Sequence, residues 1–442
     1  MPRRHHQPRQ RQPPTAKPQR PTVTTIHSLG DDLLCEIFLR LPSLPSLVHA
    51  AFTCRAFLAV IRPSTFRRRF RALHPPPLLG FFFESIGTDV PSFSPIRRRS
   101  DPDIAAAVRS ADIFLTRIPY YKDAFPGWSI KECRGGCLLL VSCCTQQIAV
   151  YNPLTRALDL FPTPPDDISR GYRGKFCYMN YFLVYSDQST GSFRVVSSCH
   201  DKSRVRASVF SSDTREWQIL PWSGIAPAQP SGNNHWLMGG TQVNGKLYWP
   251  HTKQAYMVVL DTATLQFSCM DLLEHLKGHG YLYELGATKD GKLCIVSVAG
   301  FTLITWFRRA DASGAEEWML HNVIRLEGEI LQATNIPEDE LYEHRLKVFA
   351  VLDGIVYMSI GGEHILPSWF LSFCLETRKL EKLFQKTFDN CVYPYIMGWP
   401  PFLIGNDIDM ALDSGVQSSV NRSTNKGGRM GVTTGWQFSE IA

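Results

Sequence analysis

Leu29-Gly-Asp-Asp-Leu-Leu-Cys-Glu-Ile-Phe-Leu-Arg-Leu-Pro-Ser-Leu-Pro-Ser-Leu-Val-His-Ala-Ala-Phe-Thr-Cys-Arg-Ala-Phe57 is the stretch that decides how this chain is organised. Between Asp31 and Leu41, residues Leu33, Leu34, Ile37, Phe38 and Leu41 recur at helical spacing and make one broad apolar stripe. Pro42 stops that helix, because proline breaks the hydrogen-bond ladder and restricts the residue before it. Ser43 or Ser46 suits the cap of a second helix, with Pro45 in its first turn. In that second helix Leu47, Val48, Ala50, Ala51, Phe52, Cys54, Phe57, Leu58 and Ile61 reach almost every side. A helix that is apolar all round must be buried. The pattern predicts only about three short helices, ending near Leu73, and so small a unit cannot hide that surface alone. Each exposed Leu, Ile or Phe forgoes roughly 1.5–3 kcal/mol of burial, so an open patch of this kind points to a partner.

The stretch resembles the F-box, the adaptor-binding motif of substrate receptors in SCF-type cullin–RING ubiquitin ligases. Leu29, Asp32, Leu33, Leu34, Ile37, Leu41-Pro42, Leu47, Val48, Cys54 and the aromatic Phe57 carry the resemblance. Gly30 stands where the family usually has proline, and Phe57 where it usually has tryptophan; glycine costs more backbone entropy to fix than proline. The run from Phe66 to Phe83 is similar to the junction found in large F-box families of grasses. The resemblance implies docking on a Skp-type adaptor through Leu29, Leu33, Ile37, Leu41, Pro42, Leu47, Val48 and Phe52, and through it on a cullin.

With 442 residues, 44% hydrophobic and 20% charged, the chain has room for two or three domains. Of the net charge of +7, six positive charges (Arg3, Arg4, Arg9, Arg11, Lys17, Arg20) lie in Met1 to Thr22, which holds no acid. The remainder is nearly neutral, which argues against nucleic acid as a partner. Residues 1–25 read as a disordered basic arm and 26–75 as the helical F-box; 405–442, rich in Gly, Ser, Asn and Thr, read as a disordered tail. The amino end has no apolar signal region, and the longest apolar run, Leu78 to Phe83, is far short of a membrane span. These features predict a cytoplasmic or nuclear protein with reduced thiols and no membrane partner.

Beyond Leu78 the period changes. Short aromatic and β-branched runs alternate with turn dipeptides. Strand-like runs follow a glycine turn at Arg134-Gly-Gly, Asn244-Gly, Asp290-Gly and Asp353-Gly. A second, threonine-bearing turn recurs at Tyr151-Asn-Pro-Leu-Thr-Arg156, Ser212-Asp-Thr-Arg215, Leu260-Asp-Thr-Ala-Thr264 and Leu375-Glu-Thr-Arg378. The interval between repeats is that of a four-stranded propeller blade. The arrangement resembles the kelch-like, F-box-associated β-propeller of plant receptors, here over 78–404. Blade starts are expected near Leu78, Cys133, Asn180, His235, Tyr281 and Leu346, about six blades. The fold class is thus α followed by all-β; a large β-sandwich or two stacked β domains is the alternative.

Little in the sequence carries bond chemistry. Gly286-Ala-Thr-Lys-Asp-Gly-Lys292 has phosphate-loop spacing, but Leu293 replaces the magnesium-holding hydroxyl, and Asp290-Gly291 reads better as a hairpin. Cys133, Cys137, Cys143 and Cys144 lack a second ligand pair and are expected to be buried thiols rather than a zinc site. The arginines at 67, 68, 69 and 71 are expected on the solvent face of a short helix whose Phe66, Phe70 and Leu73 turn inward, with a further basic run at Arg97 to Arg99. Trp222, Trp236, Tyr281, Tyr283, Trp369 and Trp399 suit either a substrate-gripping rim or blade packing. The expected protein is a non-catalytic receptor without cofactor or metal, holding a protein substrate of unknown identity near a charged ubiquitin donor. A scaffold working outside ubiquitination, or an enzyme with its site at the propeller's centre, is the alternative.

Overall fold

The structure, a computed structural model, describes residues 29–403 apart from 75, 85–90, 97–101, 120–126, 186–191, 225–234, 280–281, 311–315, 363–366, 388–390 and 401–402. The basic arm, the carboxy-terminal tail, Arg97 to Arg99 and Tyr281 therefore lie outside the described residues.

The helical region holds α1 (Asp31–Leu39), α2 (Leu44–Thr53), α3 (Arg55–Ile61) and α4 (Ser64–Leu73). α1 ends two residues before the expected Leu41, because Arg40 and Leu41 donate back only three residues, to Ile37 and Phe38, and tighten the last turn ahead of Pro42. The expected single second helix is two. Cys54 is fully extended (φ −161°, ψ 163°) and serves both as the end of α2 and the start of α3. The apolar residues that covered every side of one imagined helix are shared by two that pack together, so four helices replace the three expected. Phe38 and Phe57 meet edge to face at 5.0 Å in their core. Leu73, expected inward, is 59% exposed.

The helices are also partly covered by the rest of the chain. Their buried side chains form one continuous cluster with Leu79, Phe82, Trp128, Tyr151, Tyr395 and Met397. Phe70 of α4 meets Trp399 edge-on at 5.9 Å, and the Arg71 guanidinium sits 5.2 Å from the same ring. Ser46 of α2 donates to the Asp103 carboxylate at 2.5 Å, and His49 lies 3.3 Å from the same carboxylate, on α5 (Pro102–Ser110).

The β region starts with β1 (Leu78–Phe83) and β2 (Ser92–Pro95). Three four-stranded antiparallel meanders follow: β3 (Ser129–Arg134), β4 (Cys137–Ser142), β5 (Gln147–Asn152) and β6 (Ala157–Pro162); β7 (Cys177–Tyr185), β8 (Phe193–His200), β9 (Val205–Ser211) and β10 (Glu216–Ile219); β11 (Thr241–Val243), β12 (Lys246–Pro250), β13 (Tyr256–Asp261) and β14 (Phe267–Asp271). An eight-stranded sheet comes next. It comprises β15 (Tyr283–Ala287), β16 (Leu293–Ala299), β17 (Thr302–Ala310) and β18 (Glu316–Arg325), then, after α6 (Glu327–Thr334), β19 (His344–Leu352), β20 (Ile355–Gly362), β21 (Ser368–Cys374) and β22 (Leu380–Lys386). Its two halves join at one parallel bridge, Gly286 to Val351. The approach is so close that any Cβ on Gly286 would strike the Val351 carbonyl oxygen. β23 (Val392–Ile396) returns to pair with β1, giving a three-stranded sheet made from both ends of the β region.

Innermost strands pack on one another in sequence: β3 on β7, β11 on β15, β15 on β19, and β23 on both β19 and β3. That ring of inner strands is a β-propeller. The first strands of the five described sheets in chain order begin at Leu78, Ser129, Cys177, Thr241 and Tyr283, and His344 opens the second half of the eight-stranded sheet. The glycine turns are the hairpins between first and second strands, with Asn244-Gly245 at φ 49° and 72° and Asp353-Gly354 at 49° and 77°. The threonine-bearing turns join third to fourth strands and end on a left-handed residue, Arg156, Arg215, Leu265 or Arg378. Asp290-Gly291 lies in the hairpin between β15 and β16, as read from the sequence.

Candidate functional site

Two surfaces have the features of binding sites. On the helices, the apolar stripe of α1 divides: Leu34 and Phe38 turn into the core while Leu33 (58%) and Ile37 (39%) remain exposed, and on α2 Phe52 (51%) does the same. Pro42 is exposed, and Leu29 and Leu41 are partly buried. Leu47 and Val48, expected at the adaptor interface, are buried in the module's own core and offer it no surface. They sit where α2 packs on its neighbours, a placement that periodicity cannot distinguish from an outward face once one helix has become two. The arginines of α4 behave partly as expected: Arg69 pairs with Glu36 of α1 at 2.6 Å, while Arg67 is partly buried and donates to the Arg62 carbonyl.

The second surface is the centre of the propeller. Inner strands β3, β7, β15, β19 and β23 line a channel of about 430 Å³, with Lys131, Asn180, Tyr283, Glu284, Lys347 and Tyr393 on its wall. It adjoins a groove of about 760 Å³ between β23, β4 and β7; Lys131, Asn180, Cys391 and Tyr393 belong to both. Glu84, Gln146, Asp166 and Tyr178 supply the groove's polar and aromatic edge.

Burial raises the Glu284 carboxyl to about 7, with the Lys347 ammonium pulling it the other way. The Glu84 carboxyl is also pushed up by burial, against the Ile130 amide that donates to it. Asn180 is fixed: its side-chain oxygen accepts from Gly240 N–H at 2.9 Å and from Trp249 Nε1 at 3.3 Å, tying β7 to the next sheet. Tyr393 donates to the Ile130 carbonyl at 2.8 Å. The Tyr283 hydroxyl is buried at the channel wall and has no hydrogen-bond partner among the described residues. The channel thus presents two lysines, a carboxyl near neutrality and fixed amide and phenol groups, a set suited to gripping a polar peptide or side chain.

Sequence reading missed most of this wall. Lys131, Glu284 and Lys347 sit on three different strands, β3, β15 and β19, with nothing in their local sequence to relate them, and only the closure of the ring brings them together. Three of the aromatics fall on the packing side, with Trp236 fully buried, Trp399 holding α4 and Trp222 under Arg204 and Arg206 at 4.9 and 5.2 Å, whereas Tyr283 lines the channel. Of the cysteine cluster, Cys133 and Cys137 are partly buried, whereas Cys143 and Cys144 are exposed in the turn between β4 and β5, not buried. The turn frees them from the strand that adjacency suggested. No described helix is long and apolar enough to cross a membrane.

No curated protein matches the chain. Solved structures similar to it include a nidogen/laminin complex (9% identity, TM-score 0.36, covering 72% of this chain and 99% of that one). Others are a quinonprotein alcohol dehydrogenase-like protein of Bacteroides thetaiotaomicron (10%, 0.35, 72% and 77%) and a luciferin-regenerating enzyme (11%, 0.33, 61% and 79%). At those values they carry no argument about activity. Residues 129–403 match the family described as F-box protein AT5G49610-like, beta-propeller, which begins where the first four-stranded meander begins and spans the channel wall from Lys131 to Tyr393. That match covers more than half of the chain, and the chain belongs to this family of F-box-protein β-propellers.

Proposed function

We propose that this protein is the substrate-recognition subunit of an SCF-type cullin–RING ubiquitin ligase. The helices dock on a Skp-type adaptor, and the propeller's channel and groove hold a protein substrate. The observation that carries the reading is the set Leu33, Ile37 and Phe52, left exposed on α1 and α2 while Leu34, Phe38, Leu39, Leu44, Leu47 and Val48 of the same two helices are buried, directly ahead of a propeller of an F-box-protein family. Docking then rests on Leu33, Ile37, Pro42 and Phe52, with Leu29 and Leu41 at the margin. The receptor contributes proximity, raising the effective concentration of a target lysine, and no bond chemistry of its own. On this reading the propeller has six blades: the three meanders, the two halves of the eight-stranded sheet, and the three-stranded closing sheet. Work in the cytoplasm or nucleus follows from that partnership.

A pull-down of the full chain with purified Skp-type adaptor tests the reading. Wild type is expected to bind, and Leu33→Asp with Ile37→Asp to abolish binding while the chain remains folded by circular dichroism. Equal retention of both proteins sinks the docking assignment, and absence of binding by wild type sinks the receptor reading itself.

A further inference from the structure

Away from the channel wall, three metal-ligating side chains converge where the second four-stranded meander meets the third. Cys177 opens β7, and His200, which ends β8, is its direct cross-strand partner. His235 enters from the segment leading into β11, placing its Nε2 4.0 Å from Cys177 Sγ. The three ligating atoms all lie within 4.8 Å of one another; Cys177 and His200 are buried and His235 is exposed. We propose that Cys177, His200 and His235 form a binding site for a zinc-class divalent ion, which clips the segment before β11 to the β7–β8 corner.

The donor set fits such an ion. One thiolate and two imidazoles favour zinc and its neighbours over calcium or magnesium, which take oxygen ligands. With Zn–S near 2.3 Å and Zn–N near 2.0–2.1 Å, a tetrahedral site needs a sulfur–nitrogen separation of about 3.5 Å. The Cys177–His235 pair, at 4.0 Å, has about half an ångström to close, and the widest of the three separations, up to 4.8 Å, about an ångström or more, within reach of the exposed, loop-borne His235 and a small shift of the buried pair. The buried pair is already oriented. His200 Nδ1 lies 3.0 Å from the Asp201 carbonyl oxygen, which leaves Nε2 as the ligating nitrogen, the usual outer-shell arrangement of a metal-bound histidine. The same carbonyl accepts from Trp236 Nε1 at 2.7 Å, so one backbone oxygen fixes both His200 and the residue next to His235.

The Asp201 carboxylate is held by Arg204 and by the backbone amides of Arg173, Ser203 and Arg204, so it is engaged elsewhere and does not serve as a base for a metal-bound water. With the Asp201 carboxylate already engaged, we read the three-ligand set as a clip on the segment before β11, with one coordination position left for an outside ligand. Binding releases the Cys177 thiol proton to solvent as sulfur becomes a thiolate ligand. Met238, Gly239 and Gly240, just beyond His235, line the channel mouth, so occupancy sets the position of that rim. This last consequence rests on the receptor reading; the ion site does not.

The test uses the full chain, stripped with chelator, kept reduced by a non-thiol reductant and titrated with Co2+ followed by Zn2+ displacement. One equivalent of Co2+ is expected to give a thiolate-to-cobalt charge-transfer band, removed by Zn2+ and absent in Cys177→Ser. Because His235 is exposed, His235→Ala folds normally and is the decisive variant, expected to weaken Co2+ binding at least tenfold. A wild-type chain without the band, or a band of equal affinity in His235→Ala, overturns the site, whatever the outcome of adaptor binding.

Discussion

Gly30 caps the amino end of α1 at φ −69° and ψ 158°, without a side-chain hydrogen bond, and a Cβ placed there would meet nothing within 4 Å. That φ is the one proline imposes. Gly30→Pro should therefore remove unfolded-state entropy without strain and stabilise the chain by about 0.4–1 kcal/mol, read from denaturant midpoints at unchanged slope; a loss of stability would mean that the entry to α1 needs glycine. Glu284 is a residue-scale problem of the opposite kind. Its folded value of about 7 lies above the ordinary 4.5, so the folded state holds the proton more tightly. The stability it contributes is complete below pH 4.5 and is lost as pH rises through about 7, by at most about 3 kcal/mol. Glu284→Gln should flatten that limb: compared with wild type in urea, the variant gains stability at pH 8 relative to pH 5. Parallel profiles would show that the channel carboxyl is better solvated than its burial implies.

Elements show how apolar side chains of one sequence pattern divide between core and surface. Leu33 and Leu47 both fit the helical stripe, yet one is 58% exposed and the other fully buried. Leu47→Ala should cost about 2–5 kcal/mol, visible in thermal and denaturant melts, and should weaken adaptor binding only through unfolding. Leu33→Asp should do the reverse, leaving the melt near wild type. If Leu47→Ala leaves stability intact, the α2 core is not packed as described. The division was illegible in sequence because Cys54 ends α2 without proline or glycine; its extended backbone carries no compositional mark. The hairpins were legible for the opposite reason. Asn244-Gly245 and Asp353-Gly354 need positive φ at both central residues, and few residue types accept that. The third-to-fourth-strand turns place arginine or leucine in the left-handed position, so they were traceable only through their Asp, Asn and Thr; Asn152 and Asp261 accept from the amides two and three residues on. The channel wall and the Cys177–His200–His235 convergence have no local signal: the wall gathers residues from several sheets, and His235 comes from the approach to the next sheet to meet the β7–β8 hairpin that carries Cys177 and His200.

At the scale of the molecule, the ring is closed by pairing its first strand with its last, Phe82 opposite Tyr393 and Phe81 opposite Pro394. The same closing sheet meets the helices: Leu79 of β1, Tyr395 of β23 and the neighbouring Met397 belong to the helical core cluster and are almost wholly buried. The F-box-like helices and the propeller therefore share one core at the seam where the propeller is closed. A chain beginning at Leu78 loses the cover over that seam and exposes Leu79, Tyr395, Met397 and the Trp399 ring to water. Each large side chain uncovered forgoes roughly 1.5–3 kcal/mol, so the truncated chain should melt well below the full one and scatter light on warming. Its failure to bind adaptor would then carry no information about docking residues, whereas Leu33→Asp with Ile37→Asp leaves the seam covered and isolates them. A truncated chain that melts at the full chain's temperature without aggregating would show that the helices lean on the propeller without supporting it, and that the two units act independently.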